Sequence, residues 1–366
     1  MFGSLITFII VLSVLVFVHE FCHFYAAKKL GATVEEFGFG FPPRAIGIKR
    51  RGTIYSINWL PIGGFVRIKG ENGDDDSQGS FTSLAVWKRA IILSAGVIMN
   101  LLLAWFILTI GLIIGMPQIV DNIPSNASVR DEKIQVVSVL EKSPAAEAGI
   151  SAGDIIVNVN GQDITSVELF RDFTSVNQDK PLTVEYTHQG ENKTTTITPR
   201  ILTETGRPGA GVGLAETATV SYPFYIAPLV AAKGVAQTVI DTFRAFGGMI
   251  RDLLVTQRVS VDVSGPVGIA FLTADVAKMG GLYLLQFMAV LSINLAVINV
   301  LPIPALDGGR LLFLIIEKIR GRSVNQKIEG VVHAIGFFLL ISLIVVVTYR
   351  DLIKFGDRIT GAFIGG

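Results

Sequence analysis

The chain has 366 residues, of which half are apolar and only 17% are charged, whereas about 25% are charged in an average soluble protein. Its 31 Lys and Arg residues nearly balance its 30 Asp and Glu residues, which excludes the basic excess typical of nucleic-acid-binding proteins. A single cysteine, Cys22, excludes an internal disulfide bond. The composition therefore favours a membrane protein.

Four apolar segments are each long enough to cross about 30 Å of hydrocarbon, which predicts a polytopic α-helical membrane protein. The first has neither a positively charged start nor a small-residue cleavage site, so we interpret it as a retained span rather than a removed signal peptide. The first apolar segment and its flanking residues form the predicted region 1–30, and the third apolar segment and its flanking residues form the predicted region 282–309. The spans themselves are predicted at residues 5–27, 90–115, 282–305 and 331–349.

Lys and Arg residues concentrate in two loops, residues 31–89 and 310–330, and none precedes the first span. The positive-inside rule therefore predicts that both loops are cytoplasmic. The segment 116–281 and the tail 350–366 are then expected on the outer side of the membrane.

The first loop has two parts. Residues 53–69 alternate like a strand pair interrupted by Pro61 and Gly63-Gly64, which predicts a β-hairpin. Residues 70–80 are typical of a flexible acidic linker.

The outer segment also divides in two. Residues 134–200 alternate in strand fashion around short predicted helices at 145–148 and 167–175, which indicates a compact inserted α+β domain within residues 116–215. Residues 216–281 are amphipathic and rich in glycine. Their recurrent charges argue against a fifth span, so we expect this segment on the membrane surface.

The first span carries the sequence His19-Glu20-Phe21-Cys22-His23. Residues four apart share one face of a helix, so the two imidazoles can bind one zinc ion while Glu20 reaches a metal-bound water. Zinc lowers the pKa of that water to about 7, and a carboxylate can pass its proton to a leaving amine. A chance pentapeptide is the alternative, but without a metal each ionisable group at membrane depth would cost at least about 2.5–3.5 kcal/mol.

A catalytic zinc site needs a third protein ligand at similar depth. His188 lies in the inserted domain, and His333 opens the fourth span, where an interfacial anchor is the simpler role. Asp307 is the better candidate, because Pro302 and Pro304 break the third span just before it. Non-helical backbone at this depth indicates a buried or water-lined site. The alternative for Asp307 is a carboxylate that merely ends the span.

Two motifs carry a family resemblance: His-Glu-x-x-His in the first span and Asn-Val-Leu-Pro-Ile-Pro-Ala-Leu-Asp-Gly-Gly at residues 299–309. Together, and in this order, they resemble the site-2 protease family of intramembrane metalloproteases, most closely its bacterial RseP-like members. The resemblance covers nearly the whole chain and implies Zn²⁺ as the cofactor. It implies that the zinc ligands are His19, His23 and Asp307, that the catalytic acid/base is Glu20, and that Asn294 and Asn299 bind substrate. Helix–helix hydrogen bonding is the alternative role for the two asparagines.

Three features depart from the family pattern. Cys22 stands where the family often has glycine, and we interpret it as a packing residue rather than a metal ligand. Val97 replaces the proline of Gly-Pro-x-x-Asn in the stretch Ser94–Asn100, which leaves open the bend expected in the second span. The chain also has one inserted domain rather than a tandem pair.

The inserted domain resembles a PDZ domain over Ser143–Asp154 and the strand that follows it. The resemblance implies peptide binding by strand addition, with a carboxylate-receiving loop at Gly209–Leu214. Capture of a ligand and simple steric gating both remain open as roles for this domain.

Residues 55–71 are similar to the membrane-associated β-loop of the family, and the β-hairpin at 53–69 leads to a related hypothesis. An exposed strand edge can hold a substrate segment in an extended conformation. We therefore expect Gly63, Gly64 and Phe65 near the substrate path, and a purely structural hairpin is the alternative.

These features together predict a zinc-dependent intramembrane endopeptidase in the bacterial inner (cytoplasmic) membrane that cleaves single-span membrane proteins. The resemblance implies substrates such as anti-sigma factors or signal-peptide remnants, with the bilayer itself and a peptide terminus at the PDZ-like domain as further partners. A non-enzymatic membrane adaptor with a structural metal is the alternative. A transporter is a third interpretation, which the lack of visible internal repeats disfavours.

Overall fold

The computed structural model describes residues 2–71, 75, 77–120, 126–140, 142–188, 190–202, 206–256 and 264–356. Part of the predicted acidic linker, residues 72–74 and 76, and the end of the predicted outer tail, residues 357–366, lie outside the described residues. The chain forms two compact units. One comprises Met1–Ile107, Ala231–Ala274 and Phe287–Gly366, and the other comprises Leu108–Val230 and Asp275–Gln286.

Helices and β-strands follow one another along the described residues. In chain order they are α1 (Phe2–Leu30), β1 (Val34–Arg50), β2 (Thr53–Ile68), α2 (Val86–Ile114), β3 (Met116–Ile119), β4 (Ser128–Val139), α3 (Pro144–Glu147), β5 (Ile155–Val159), β6 (Gln162–Asp163), α4 (Val167–Val176), β7 (Leu182–His188), β8 (Glu191–Ile197), β9 (Arg200–Ile201), β10 (Pro208–Gly209), β11 (Val212–Ser221), α5 (Ala227–Thr256), α6 (Pro266–Met279), α7 (Gly281–Val300), α8 (Asp307–Arg320) and α9 (Gln326–Lys354).

Within the described part of the chain, four helices are long and apolar enough to cross a membrane: α1 from Leu5 onward, α2, α7 and α9. Large apolar side chains cover their surfaces, and Phe338 on α9 is 69% exposed. Such a surface is unfavourable in water and suited to hydrocarbon. The predicted fold class, a polytopic helical membrane protein with an inserted domain, is confirmed.

The third span is shorter than predicted. α7 ends at Val300 rather than Ala305, because Pro302 and Pro304 lack the backbone N–H that would continue a helix. The chain turns and restarts at Asp307 as α8, a 14-residue helix that occupies much of the predicted cytoplasmic loop. The proline break therefore separates a spanning helix from a second, amphipathic one.

The fourth span is longer than the predicted segment 331–349. α9 begins at Gln326, because the side chain of Asn325 accepts a hydrogen bond from the Lys327 N–H at 2.9 Å and caps the helix. It continues to Lys354. The first and last turns of α9 are polar, so apolar length alone does not predict where the helix begins and ends.

Between α1 and α2, the strands β1 and β2 form the hairpin. The sequence predicts only the second half of this hairpin, residues 53–69. β1 contains glycines and two adjacent prolines, residue types that are unusual inside a strand, so it was not predicted. The first part of β1 is paired on two sides, since Phe37 has both Tyr55 and Val66 as partners. The two halves of the predicted strand pair, both in β2, are therefore bonded to β1, a strand that the sequence did not predict.

An ion pair links two positions within β1. Arg44 donates two hydrogen bonds to the buried carboxylate of Glu36, at 3.0 and 2.6 Å. Burial by itself raises the pKa of Glu36, but the hydrogen bonds and charge of Arg44 outweigh it and hold that pKa below its usual value. The carboxylate therefore stays ionised and paired.

The inserted domain is an antiparallel sheet with two short helices. Its strand order is β3-β11-β4-β5-β7-β8, and β6 pairs with β5. Val136, Val159 and Leu182 belong to its buried core. The last strand, β11, continues to Ser221, beyond the predicted boundary at residue 215, because it pairs with β3 and β4 along its length.

The predicted surface segment 216–281 contains the end of β11 and the helices α5 and α6. The start of α6 is tied to the end of α9, because the buried Asp351 carboxylate accepts hydrogen bonds from the N–H groups of Gly265 (3.2 Å) and Gly268 (2.7 Å). An anion at a helix N-terminus satisfies backbone donors that have no partner within the helix.

Candidate metal centre

His19 and His23 project from the same face of α1. Their ring centroids lie 4.7 Å apart, and their Nε2 atoms are 3.1 Å apart. Both side chains are buried. The pair expected from the spacing of four residues is therefore formed, with two ring nitrogens meeting inside the protein.

Asp307 reaches this pair from a distant part of the sequence. Its Oδ2 atom lies 3.1 Å from His19 Nε2 and 3.3 Å from His23 Nε2. The turn that delivers it is tight, because a Cβ atom at Gly308 would lie 2.2 Å from the carbonyl oxygen of Leu301. Because the helix breaks after α7, the Asp307 carboxylate reaches the two histidines. A continuous helix would carry this carboxylate past them.

His333 on α9 supports the broken segment. Its Nδ1 atom accepts a hydrogen bond from the N–H of Ala305 at 2.9 Å, and Ala305 has a left-handed backbone with φ of 75°. Gly336 lets α9 approach closely, since a Cβ atom there would lie 2.3 Å from Pro304. The sequence favours an interfacial anchor for His333, and the structure adds that its ring braces the loop that leads to Asp307.

The three ligand atoms are spaced as zinc requires. Tetrahedral bonds of about 2.0–2.1 Å place neighbouring ligand atoms roughly 3.4 Å apart. The separations here are 3.1, 3.1 and 3.3 Å. Asp307 Oδ2 is buried and has no hydrogen-bond partner among the described residues, which is costly for a carboxylate oxygen. A divalent cation would satisfy it, so the residues present fit zinc.

α2 supplies the space around this site. A Cβ atom at Gly96 would lie 2.3 Å from His23 Nε2 and 2.6 Å from His19 Cε1, so only glycine fits there. The carbonyl oxygen of Ile92 lies 2.8 Å from His23 Nδ1, which assigns the ring proton to Nδ1 and leaves the Nε2 lone pair for a metal. α2 is helical without a break through Val97, the position at which the family pattern has a proline.

Glu20 connects the site to the hairpin. Its Oε2 atom accepts a hydrogen bond of 3.2 Å from the backbone N–H of Val66 on β2. This contact brings one strand of the hairpin next to the carboxylate that follows His19 in the sequence.

The three hairpin residues predicted near a substrate lie just before Val66. Gly63 has φ of 69° and donates its N–H to Ser13 Oγ at 3.2 Å, and a Cβ atom at Gly64 would lie 2.9 Å from a carbonyl oxygen of β1. Both glycines are buried, whereas Phe65 is partly exposed. Packing against α1 and β1 therefore accounts for the glycines.

Other predicted residues lie apart from the ligand group. Asn294 Oδ1 accepts a hydrogen bond from the Thr242 hydroxyl on α5 at 3.1 Å, which is the helix–helix role considered for it. Asn299 is partly exposed near the end of α7. Cys22 is half-buried beside an apolar groove between α1 and α2. His188 pairs with Asp154 in the inserted domain, at 2.7 Å.

The sequence of the chain matches the family described as Peptidase family M50 over residues 7–343. The regulator of sigma-W protease RasP of Bacillus subtilis (strain 168) is 31% identical to it, over 96% of this chain and 98% of RasP. The zinc metalloprotease RasP of Geobacillus kaustophilus (strain HTA426) is 29% identical, over 96% of this chain and 98% of that protein.

Among solved structures, the PDZ domain of the SdrC-like protein from Listeria innocua is similar to part of this chain. The similarity covers 22% of this chain and 92% of that domain, with 29% identity and a TM-score of 0.21.

The family match extends over most of the chain and includes residues 19–23 and 299–309. Neither the adaptor nor the transporter interpretation gains any support from these relatives. The four apolar helices make the chain a multi-pass membrane protein. It therefore belongs to peptidase family M50 and is an intramembrane zinc metalloprotease.

Proposed function

We propose that His19, His23 and Asp307 hold the catalytic zinc ion and that Glu20 moves the protons of peptide hydrolysis. The observation that carries this proposal is the meeting of three ligand atoms within 3.3 Å of one another. Zinc held there would supply Lewis-acid chemistry and hydroxide near neutral pH. Glu20 takes a proton from the attacking water and passes it to the leaving amine.

The β1/β2 hairpin holds the substrate in an extended form. A helical substrate shields its carbonyl groups, so it has to unwind before hydrolysis. The bond from Val66 to Glu20 supports this role, because it brings a strand to the reacting groups. Gly63, Gly64 and Phe65 then border the substrate path.

Asn294 and Asn299 bind the backbone of the unwound segment. Their side-chain amides can replace the helical hydrogen bonds that the substrate loses. Asn294 would exchange its present bond with Thr242 for one with the substrate.

The substrates are single-span membrane proteins, cut near the cytoplasmic side of the bacterial inner membrane. The Lys and Arg bias of the loops 31–89 and 310–330 supports this orientation. The Bacillus subtilis relative is named as a regulator of sigma-W protease, which supports anti-sigma factors as one substrate class. Signal-peptide remnants have the same single-span form and are a second class.

The inserted domain lies on the outer side of the membrane in this topology. It either captures a peptide terminus at the loop Gly209–Leu214 or excludes substrates that are too bulky on that side. Backbone hydrogen bonds already involve this loop, since the carbonyl oxygens of Ala210 and Gly211 accept from Ala145 and Leu140.

Zinc content and cleavage of a single-span substrate in detergent test the ligand set. We expect one zinc per wild-type chain, and His19→Ala, His23→Ala and Asp307→Asn should each weaken zinc binding beyond the roughly 10- to 100-fold typical of losing an outer-shell partner. Asp241→Asn, which neutralises an exposed aspartate on α5, is the control and should change neither quantity. Full zinc content in Asp307→Asn would refute the proposed third ligand.

Photo-crosslinking tests the role of the hairpin. A photoreactive phenylalanine analogue at Phe65, in a Glu20→Gln background that prevents turnover, should capture the single-span substrate. The same analogue at Trp59, which is 71% exposed on the other half of β2, is the matched control and should capture much less. Equal capture at both positions would show that the substrate does not follow residues 63–65.

A further inference from the structure

Asn100 is a buried amide on α2 whose contacts are incomplete. Its side-chain nitrogen lies 3.3 Å from His19 Nδ1, and its side-chain oxygen is buried without a hydrogen-bond partner among the described residues. Its backbone carbonyl accepts a hydrogen bond from the Ser292 hydroxyl on α7, at 2.8 Å. The residue is therefore fixed between two spanning helices with its amide against the first zinc ligand.

The chemistry of His19 determines what it needs from this neighbour. Its Nε2 atom faces His23 and Asp307, so Nε2 must offer a lone pair if the ring binds zinc. A neutral imidazole has one N–H and one lone pair, so Nδ1 then carries the proton. A proton on a buried ring requires an acceptor, and an amide nitrogen cannot provide one.

A half-turn of the amide gives the His19 Nδ1 proton an acceptor and places the amide nitrogen where the oxygen now lies without a partner. The oxygen and nitrogen of an asparagine side chain have nearly the same shape, and their assignment follows from the hydrogen bonds that they make. With the oxygen toward His19, the Nδ1 proton gains an acceptor and the buried oxygen gains a partner. The same rotation thus explains the orphaned oxygen and the tautomer that zinc binding demands.

We propose that Asn100 is the positioning residue of His19: its side-chain oxygen accepts the Nδ1 proton and so presents Nε2 to zinc. The inference rests on the zinc ligands proposed above. Ile92 does the same for His23 through its backbone carbonyl, and Gly96 between them leaves room for the rings. Residues spaced by four share a helix face, so one face of α2 orients both histidines without providing a ligand.

Zinc affinity measured by competition with a chelator tests this role. Asn100→Leu keeps the approximate size but removes the acceptor, and we expect zinc to bind about 10- to 100-fold more weakly. Asn100→Asp restores an acceptor and should keep the affinity close to that of the wild type. The absorption spectrum of the Co²⁺-substituted protein should change in Asn100→Leu and match wild type in Asn100→Asp, because it reports the geometry of the ligands.

Ser292→Ala is the matched control, since it removes a hydrogen bond to the backbone of Asn100 and leaves the amide in place. It should bind zinc like the wild type. Unchanged affinity in Asn100→Leu would overturn the proposal, and so would an equal loss in Asn100→Leu, Asn100→Asp and Ser292→Ala, which would indicate packing alone. Zinc retention by His19→Ala would instead refute the ligand set itself, so the two failures are distinguishable.

Discussion

Glu20→Gln should keep its zinc ion and lose proteolysis. General acid–base catalysis contributes about 10²–10⁴-fold to a rate, and glutamine cannot accept the proton of the attacking water. Glutamine has nearly the shape of glutamate, and its carbonyl oxygen can still accept the hydrogen bond from Val66. Cleavage of a single-span substrate and metal content, measured on the same preparation, check the two halves of the expectation.

Glu35→Gln is the matched control for charge. Glu35 lies on β1 of the same hairpin with its side chain exposed, so its neutralisation should leave cleavage unchanged. Activity within about tenfold of wild type in Glu20→Gln would be too high for the loss of a catalytic proton carrier. Loss of zinc from the variant would show that Glu20 contributes to metal binding. This result would contradict its proposed role as a proton carrier that does not bind the metal.

Gly96→Ala should abolish zinc binding and cleavage although it adds only a methyl group. The new Cβ atom would lie 2.3 Å from His23 Nε2, well inside van der Waals contact, so the ring has to leave its position. Alanine favours a helix over glycine by about 0.8–1.0 kcal/mol, so α2 itself should not unfold. We therefore expect a folded protein without a metal site, with zinc content and thermal unfolding measured together.

Gly234→Ala provides the comparison for this substitution. Gly234 is also in a helix, α5, but nothing lies within 4 Å of the Cβ atom that alanine would add. It should keep zinc and activity and become slightly more stable through the same helix propensity. If Gly96→Ala binds zinc as tightly as Gly234→Ala, the close approach of α2 to the histidines is not part of the working site.

Much of the metal centre can be predicted from the sequence, because its elements follow local rules. The spacing of His19 and His23 places them on one helix face, and the prolines before Asp307 predict the break that brings it inward. The contributions of α2 could not be predicted in this way. Gly96 and Asn100 lie in an apolar helix where neither periodicity nor charge distinguishes them, and only the packing of α2 against α1 reveals their contacts.

The fold divides along similar lines. Apolar length predicts the four spans, and alternation predicts the four strands β4, β5, β7 and β8 of the inserted domain. The strand β1 and the helix α8 were missed, since each depends on a distant partner. Phe37 in β1 pairs with two parts of β2, and His333 on α9 accepts a hydrogen bond from the N–H of Ala305 in the turn that precedes α8.

The bond between Asp351 and the start of α6 affects how shortened chains should be interpreted. A protein truncated just before Asp351 would retain every proposed catalytic residue, yet the N–H groups of Gly265 and Gly268 would lose their acceptor, at about 1–3 kcal/mol for each unsatisfied donor. α6 leads directly into α7, whose far end continues to Asp307, the proposed third ligand. Inactivity after such a deletion would therefore indicate that α6 is no longer held in place. It would not be evidence that residues at the end of the chain take part in catalysis.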